Sequence, residues 1–170
     1  ALTNSAEKNM LLDDIANMEH VLTRLLQLSR SESALVGAHQ SLELGETLGK
    51  ILSEIGGALI RDGMQLSLTR LPQPVHINAD QAMLEVMLRN LLDNAAAGGA
   101  DSTVTISYDA TGSVFIADNG PGVPDDKLSK IFDRFVRLSD STTDGHAGLG
   151  LAIVRALADA QNASVSAHHA

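Results

Sequence analysis

Two asparagines in a predicted helix are the first residues of this sequence whose type and spacing suit metal chemistry. Asn90 and Asn94 lie in the sequence NLLDNA at 90–95. Apolar residues recur at helical spacing around them, and residues four apart share one face of a helix. Carboxamide oxygens are ligands that Mg2+ accepts together with water. Taken alone, the pair also fits two surface asparagines, because asparagine is mostly exposed in proteins.

A second candidate follows the apolar run VFIA at 114–117, which predicts a strand. Asp118 opens the sequence DNGPGVP, and its carboxylate can accept a hydrogen bond from an amino group such as adenine N6. Gly120 and Gly122 allow the backbone to pass close to a ligand and to take a positive φ. The same residue types form ordinary turns, so this motif alone leaves both interpretations open.

Two further motifs lie downstream. The sequence IFDRF at 131–135 holds two of the three phenylalanines of a chain that is 2% aromatic, which predicts that these rings anchor a segment. The sequence GHAGLGLAIV at 145–154 leads from a glycine-rich loop into a predicted helix. The first N–H groups of a helix are unpaired and lie at the positive end of its dipole. This helix start is therefore a candidate phosphate site.

The order and spacing of these four motifs resemble the N, G1, F and G2 boxes of the ATP-binding catalytic domain of sensor histidine kinases. That domain belongs to a superfamily with DNA gyrase, mismatch-repair and chaperone ATPases, and the resemblance extends from about residue 41 to the end of the sequence. It implies that Asn94, helped by Asn90, binds Mg2+ and that Asp118 recognises adenine. It also implies close backbone approach at Gly120 and Gly122, and phosphate contact by Gly148, Leu149 and Gly150.

Two positions depart from the family's pattern. The family often has a lysine three residues after the second asparagine, where it reaches phosphate, and this sequence has Ala97. His146 stands where the glycine-rich box often has its second glycine. Arg137 is the nearest candidate to supply the missing positive charge, and we assign it, with Asn90, a catalytic role.

The elements that must position these residues predict an α/β fold. Helical spacing and strand alternation predict helices at 46–61 and 79–97, and strands at 42–44, 65–71, 75–78, 103–108, 113–117 and 163–168. The resemblance implies a two-layer α/β sandwich, the Bergerat-type ATP-binding fold, with one mixed sheet and helices on one face. Where the family usually continues to a last strand, we expect only the strand at 163–168.

A heptad pattern precedes this domain. Apolar residues spaced 4, 3, 4 and 3 apart form a seam of Leu11, Ile15, Met18, Leu22 and Leu25. Such a seam favours helix pairing over a lone amphipathic helix packed on its own domain. By resemblance, residues 1–32 are the second helix of a dimerisation and phosphotransfer hairpin, 33–40 are a linker and 41–170 are the catalytic domain. We expect the seam to pair with a second copy of the chain, with folding back onto the domain as the alternative.

Composition narrows the class of protein. A net charge of -9 over 170 residues argues against non-specific nucleic-acid binding, which depends on neutralising phosphates. The chain has no cysteine, and no apolar run approaches the ~18 residues of a membrane span. Because its first residue is Ala rather than Met, we expect a soluble part of a longer protein. By resemblance, this part is the cytoplasmic portion of an inner-membrane sensor and makes no membrane contact itself.

The implied activity is transfer of the γ-phosphoryl group of Mg-ATP to a histidine outside this sequence, for relay to a response regulator. His20 lacks the acidic neighbour and the proline of the acceptor motif, so the sequence assigns no phosphoacceptor. An ATPase of the superfamily would carry Glu in place of Asn90, because hydrolysis needs a base. A serine kinase of the superfamily lacks the heptad helix. Because Ala97 replaces the family's phosphate-contacting lysine, a nucleotide-binding module without catalysis stays an alternative.

Overall fold

The computed structural model describes residues 39–61, 63–96, 102–133, 136 and 150–169. The elements in chain order are β1 (Gln40–Glu43), α1 (Leu44–Arg61), β2 (Gln65–Leu68), β3 (His76–Ala79), α2 (Gln81–Ala96), β4 (Thr103–Tyr108), β5 (Val114–Asp118), α3 (Asp125–Leu128) and α4 (Gly150–Ala160). Several predictions fall outside the described residues: the heptad seam, the linker up to residue 38, His20, Ala97, Phe135, Arg137, His146, Gly148 and Leu149.

The described strands form two hydrogen-bonded sets. β1 pairs antiparallel with β3. β4 is central in the other set, pairing parallel with β2 and antiparallel with β5. These two sets replace the single mixed sheet that the resemblance implies. The Cγ2 of Ile77 lies 2.7 Å from the position of a Cβ at Gly112, so Ile77 of β3 packs closely against the β4–β5 turn.

An apolar core joins α1 and α2 to the strands. Its buried members include Leu44, Leu48, Ile51, Leu84, Leu88, Leu92, Val104 and Ile106. Along β4 buried residues alternate with half-buried ones, as in a strand that covers a core with one face. With helices on that face, the described residues confirm an α/β sandwich of two layers. None of the described helices is long and apolar enough to span a membrane.

The helix α1 begins at Leu44, two residues before its predicted start, because Glu43 caps it. The Glu43 carboxylate accepts hydrogen bonds from the N–H groups of Glu46, Gly45 (3.1 Å) and Val75 (3.4 Å). These donors, that of Glu46 foremost, hold the pKa of Glu43 below its ordinary value. One side chain thus ties the β1–α1 junction to the segment before β3.

We expect Glu43→Gln to lower the free energy of unfolding near pH 7 and to have a diminishing effect in acid. Since the folded-state pKa of Glu43 is lowered, its ionised form stabilises the fold at any pH above its ordinary value of 4.5. That contribution is lost as the pH falls through the folded-state pKa. Urea unfolding of both proteins between pH 3 and pH 7 measures the difference.

The exposed Glu54 of the same helix provides the matched control. Glu54→Gln should change stability little across this range of pH, because surface substitutions away from caps have small effects. An effect of Glu43→Gln that is equal at all pH values would contradict the role of the ionised carboxylate.

The C-terminal segment differs from its prediction. Residues 163–169 contain no strand, so the strand predicted at 163–168 is wrong. Asn162, with φ 56°, ends the helical turn, and the Ala163 N–H after it donates to the Ala158 carbonyl at 2.9 Å. His168 lies 3.0 Å from the Ser166 hydroxyl, and His169 Nε2 lies 2.8 Å from Asp125 Oδ1.

Candidate nucleotide-binding site

The strand β5 ends at Asp118, the predicted adenine contact. Asp118 is in register with Val104 of the buried strand β4, which fixes its backbone. Its side chain is exposed, and its Oδ1 accepts a hydrogen bond from the Gly120 N–H at 2.8 Å. Within the described parts of the chain, Oδ2 has no hydrogen-bond partner. This oxygen is therefore available to accept a hydrogen bond from a ligand.

Two glycines shape the loop after Asp118. A Cβ at Gly120 would lie 2.6 Å from Asp118 Oδ1, which is too close for any real Cβ. Gly122 has φ +73°, a conformation that residues with a side chain rarely adopt. Gly120 is thus required by the position of the carboxylate, and Gly122 is required by the backbone.

We expect Gly120→Ala to weaken ATP binding without unfolding the protein, because the added methyl group must displace the Asp118 carboxylate. Isothermal titration with ATP measures the affinity, and circular dichroism measures the fold. Gly57→Ala is the control, since a Cβ there meets only Arg61 Nη1 at 3.8 Å. That change should leave affinity intact and stabilise α1 by about 0.5–1 kcal/mol. Equal ATP affinities in all three proteins would contradict the proposed part of Gly120.

The helix α2 carries Asn90 and Asn94. Asp80 caps its first turn, its Oδ1 accepting hydrogen bonds from the N–H groups of Ala82 (2.8 Å) and Met83 (3.1 Å). The apolar face of α2 is buried in the core. Asn90 is half-buried and Asn94 is exposed. Core packing therefore fixes the helix, while the two asparagines lie off its buried face.

The side-chain amide of Asn90 forms a hydrogen bond within its own helix through its nitrogen. Its Nδ2 donates to the carbonyl of Val86 at 2.8 Å, which turns Oδ1 away from its own helix. A Cβ at Gly150 would lie 3.2 Å from that oxygen. Asn90 Oδ1 therefore lies against the first residue of α4, where the unpaired N–H groups and the helix dipole create a positive potential.

The far end of α4 is joined to the start of α2. Gln161 Oε1 accepts a hydrogen bond from the Asp80 N–H at 2.8 Å, and its Nε2 donates to Met87 Sδ at 3.6 Å. Between the two ends, Val154, Leu157 and Ala158 of α4 are buried. The helices thus pack antiparallel, and contacts at both ends set the position of Gly150 beside Asn90.

The phenylalanine motif packs on the same helix. Phe132 is buried, as expected of an anchoring ring, and the guanidinium carbon of Arg155 lies 5.2 Å from its ring centroid. Arg155 also lies 3.3 Å from the Asp133 carboxylate. Both contacts hold the turn at 129–133 against α4.

The described residues of the predicted site lie in two parts of the molecule. Asp118, Gly120 and Gly122 form one loop, and Asn90 meets Gly150 directly between α2 and α4. The contacts of Gln161 and Arg155 were not predicted. Gln161 lies 81 positions from Asp80, and no local pattern indicates that pairing. The ligand-binding roles of these residues stay predictions.

The family of histidine kinase-, DNA gyrase B- and HSP90-like ATPases matches residues 79–170. This stretch is more than half of the chain and includes every residue of the predicted nucleotide site. The chain therefore belongs to this family and carries its ATP-binding domain.

Curated relatives are sensor kinases. The chain is 31% identical over 168 residues to signal transduction histidine-protein kinase BaeS of Escherichia coli K12, covering 92% of this chain and 35% of that protein. It is 32% identical over 161 residues to sensor histidine kinase TrcS of Mycobacterium tuberculosis, covering 88% of this chain and 31% of that protein. The chain thus spans about a third of the length of these relatives.

Solved structures share the fold. The catalytic domain of histidine kinase ThkA has a TM-score of 0.61 at 21% identity, covering 72% of this chain and 81% of that chain. The ATP binding domain of PrrB from Mycobacterium tuberculosis has a TM-score of 0.58 at 24% identity, covering 78% of this chain and 88% of that chain. The likeness confirms the fold class implied by the four motifs.

Proposed function

We propose that this chain is the catalytic part of a sensor histidine kinase, which transfers the γ-phosphoryl group of Mg-ATP to a histidine outside the chain for relay to a response regulator. Membership of the ATPase and kinase family and similarity to BaeS and TrcS support this proposal. The acceptor histidine belongs to another part of the whole protein.

The adenine end of the site is assigned to the loop after β5. The Oδ2 of Asp118 accepts a hydrogen bond from the N6 amino group, which adenine has and guanine lacks at that position. Gly120 and Gly122 let the loop backbone pass close to the base. Support comes from the fixed strand end and from the hydrogen bond between the Gly120 N–H and Asp118 Oδ1.

The phosphate end is assigned to the start of α4. Gly148, Leu149 and Gly150 contact the phosphates, Asn94 and Asn90 hold Mg2+, and Arg137 adds positive charge. The Nδ2 of Asn90 donates to the Val86 carbonyl, and its Oδ1, which faces Gly150, suits a cation that prefers oxygen ligands. Bound Mg2+ neutralises phosphate charge, which together with positioning is most of what phosphoryl transfer requires.

The observation that carries the proposal is the amide of Asn90 beside Gly150. An ATPase needs a base at its phosphates to activate water, and a carboxamide cannot accept that proton. This position favours a kinase, in which a partner supplies the nucleophile. A serine kinase of the same superfamily and a nucleotide-binding module without transfer remain the alternative functions.

The same proposal extends to partners and location. In the whole protein, residues 1–32 pair with a second copy as part of a helical bundle, and a cognate response regulator receives the phosphoryl group. The protein is an inner-membrane sensor, and this chain belongs to its cytoplasmic portion. The heptad seam supports the pairing, and similarity to the histidine kinases BaeS and TrcS supports the role as part of a sensor.

The proposal is tested by phosphoryl transfer from ATP to an acceptor histidine on a separate polypeptide. The chain is mixed with Mg-ATP carrying radioactive γ-phosphate and with a separately prepared helical hairpin that contains the acceptor histidine. We expect acid-labile phosphate on the hairpin and none on this chain alone, because no histidine here has the acceptor context. Acid-stable phosphate would indicate a serine kinase, and ATP binding without any transfer would indicate a binding module.

A further inference from the structure

Asn119 makes a two-sided contact at the end of the β4–β5 ladder. Its backbone N–H donates to the Thr103 carbonyl at 3.2 Å, and its side-chain Oδ1 accepts a hydrogen bond from the Thr103 N–H at 2.7 Å. One residue thus satisfies both backbone groups of the first residue of β4.

The side chain of Asn119 replaces a backbone group in this contact. The last pair of the ladder joins Val104 to Asp118, so Thr103 and Asn119 are the next pair in register. Facing residues of an antiparallel ladder are alternately hydrogen-bonded and not, and in a hydrogen-bonded pair the two residues exchange both backbone hydrogen bonds. Here the amide oxygen takes the place of the Asn119 carbonyl, so the backbone is free to leave the sheet directly after Asp118.

We propose that Asn119 is a positioning residue for nucleotide specificity, which fixes the Asp118 carboxylate for adenine without touching the base. This inference rests on the proposed role of Asp118. The carboxylate is held on one side by the ladder end that Asn119 closes, and on the other by the Gly120 N–H at 2.8 Å. Loss of the Asn119 side chain leaves the Thr103 N–H without its partner and frees the end of β5 to fray.

The experiment compares ATP with GTP, which share the triphosphate and differ at the group that meets Asp118. We expect Asn119→Ala to weaken ATP binding about fivefold, the equivalent of one neutral hydrogen bond, and to leave GTP binding unchanged. Isothermal titration gives both affinities. A purely structural role would weaken both nucleotides equally or neither, and either result overturns the proposal.

Asn119→Asp is the matched variant, because a carboxylate oxygen can still accept the Thr103 N–H. Its added charge acts on the triphosphate of both nucleotides, so the ratio of ATP affinity to GTP affinity cancels that effect. We expect a ratio like that of the unmodified chain. If Asn119→Ala does not fold, Asn119→Asp decides the matter. A ratio of ATP affinity to GTP affinity below that of the unmodified chain, in folded Asn119→Asp, overturns the proposal.

Asp118→Ala separates this inference from the proposed function. Unchanged ATP affinity in Asp118→Ala would refute the adenine assignment itself. Weak binding in Asp118→Ala together with normal binding in Asn119→Ala would refute only the positioning role.

Discussion

Replacing Asp118 by Ala is expected to weaken ATP binding by about 10-fold to 150-fold, because a hydrogen bond to a charged group contributes about 1.5–3 kcal/mol. The fold should survive, since the side chain is exposed and the ladder to β4 is formed by backbone groups. Isothermal titration measures the affinity, and thermal unfolding followed by circular dichroism measures the stability.

Asp126→Ala is the control for this change. Asp126 is an exposed acid in the first turn of α3, so its loss removes the same charge close in sequence. We expect ATP affinity close to that of the unmodified chain. If Asp118→Ala bound ATP as tightly as this control does, adenine would be recognised somewhere else.

The second large effect is expected on the affinity for Mg2+. Asn94→Ala should reduce the apparent affinity for Mg2+ in the presence of ATP by at least about tenfold. Loss of a residue that only hydrogen-bonds to a metal ligand already lowers metal affinity by about that factor. Asn94 is exposed, so its removal should change stability little. Titration of ATP binding over a series of MgCl2 concentrations, with EDTA as the zero point, measures this dependence.

Gln81→Ala provides the comparison on the same helix. Gln81 is an amide at the first residue of α2, far along the helix from the contact between Asn90 and Gly150. We expect normal Mg2+ dependence in this variant. A normal dependence in Asn94→Ala as well would remove Asn94 from the metal site.

Local patterns in the sequence predict most helices and strands. Apolar periodicity locates α1, α2 and α4, and alternation locates the hairpin of β4 and β5, because these signals arise within one element. Helix ends are less predictable. The start of α1 depends on the Glu43 carboxylate, whose hydrogen bonds to Gly45 and Glu46 extend the helix toward β1.

Contacts between distant residues cannot be predicted in the same way. The position of Gly150 against Asn90 depends on the antiparallel packing of two helices, and the Gln161 contact that helps set it spans most of the domain. The pairing of β1 with β3 and that of β2 with β4 likewise join residues that are far apart in the sequence. The motifs indicate which residues bind, whereas packing decides how they meet.

The two-sided contact at Asn119 is another contact that the sequence does not predict. The sequence DNGPGVP indicates Asp118 as a ligand contact, and within it Asn119 is explained by turn propensity alone. The hydrogen bond from Thr103 to the Asn119 side chain depends on the β4–β5 register, which alternation alone does not fix.

A crystal structure of this chain with Mg2+ and a non-hydrolysable ATP analogue tests the central claim most directly. We predict the adenine amino group within hydrogen-bond distance of Asp118, the triphosphate at the start of α4 and the metal bound by the oxygens of Asn94 and Asn90. A nucleotide whose base lies away from Asp118, or whose phosphates lie away from Gly150, would contradict this account of the site.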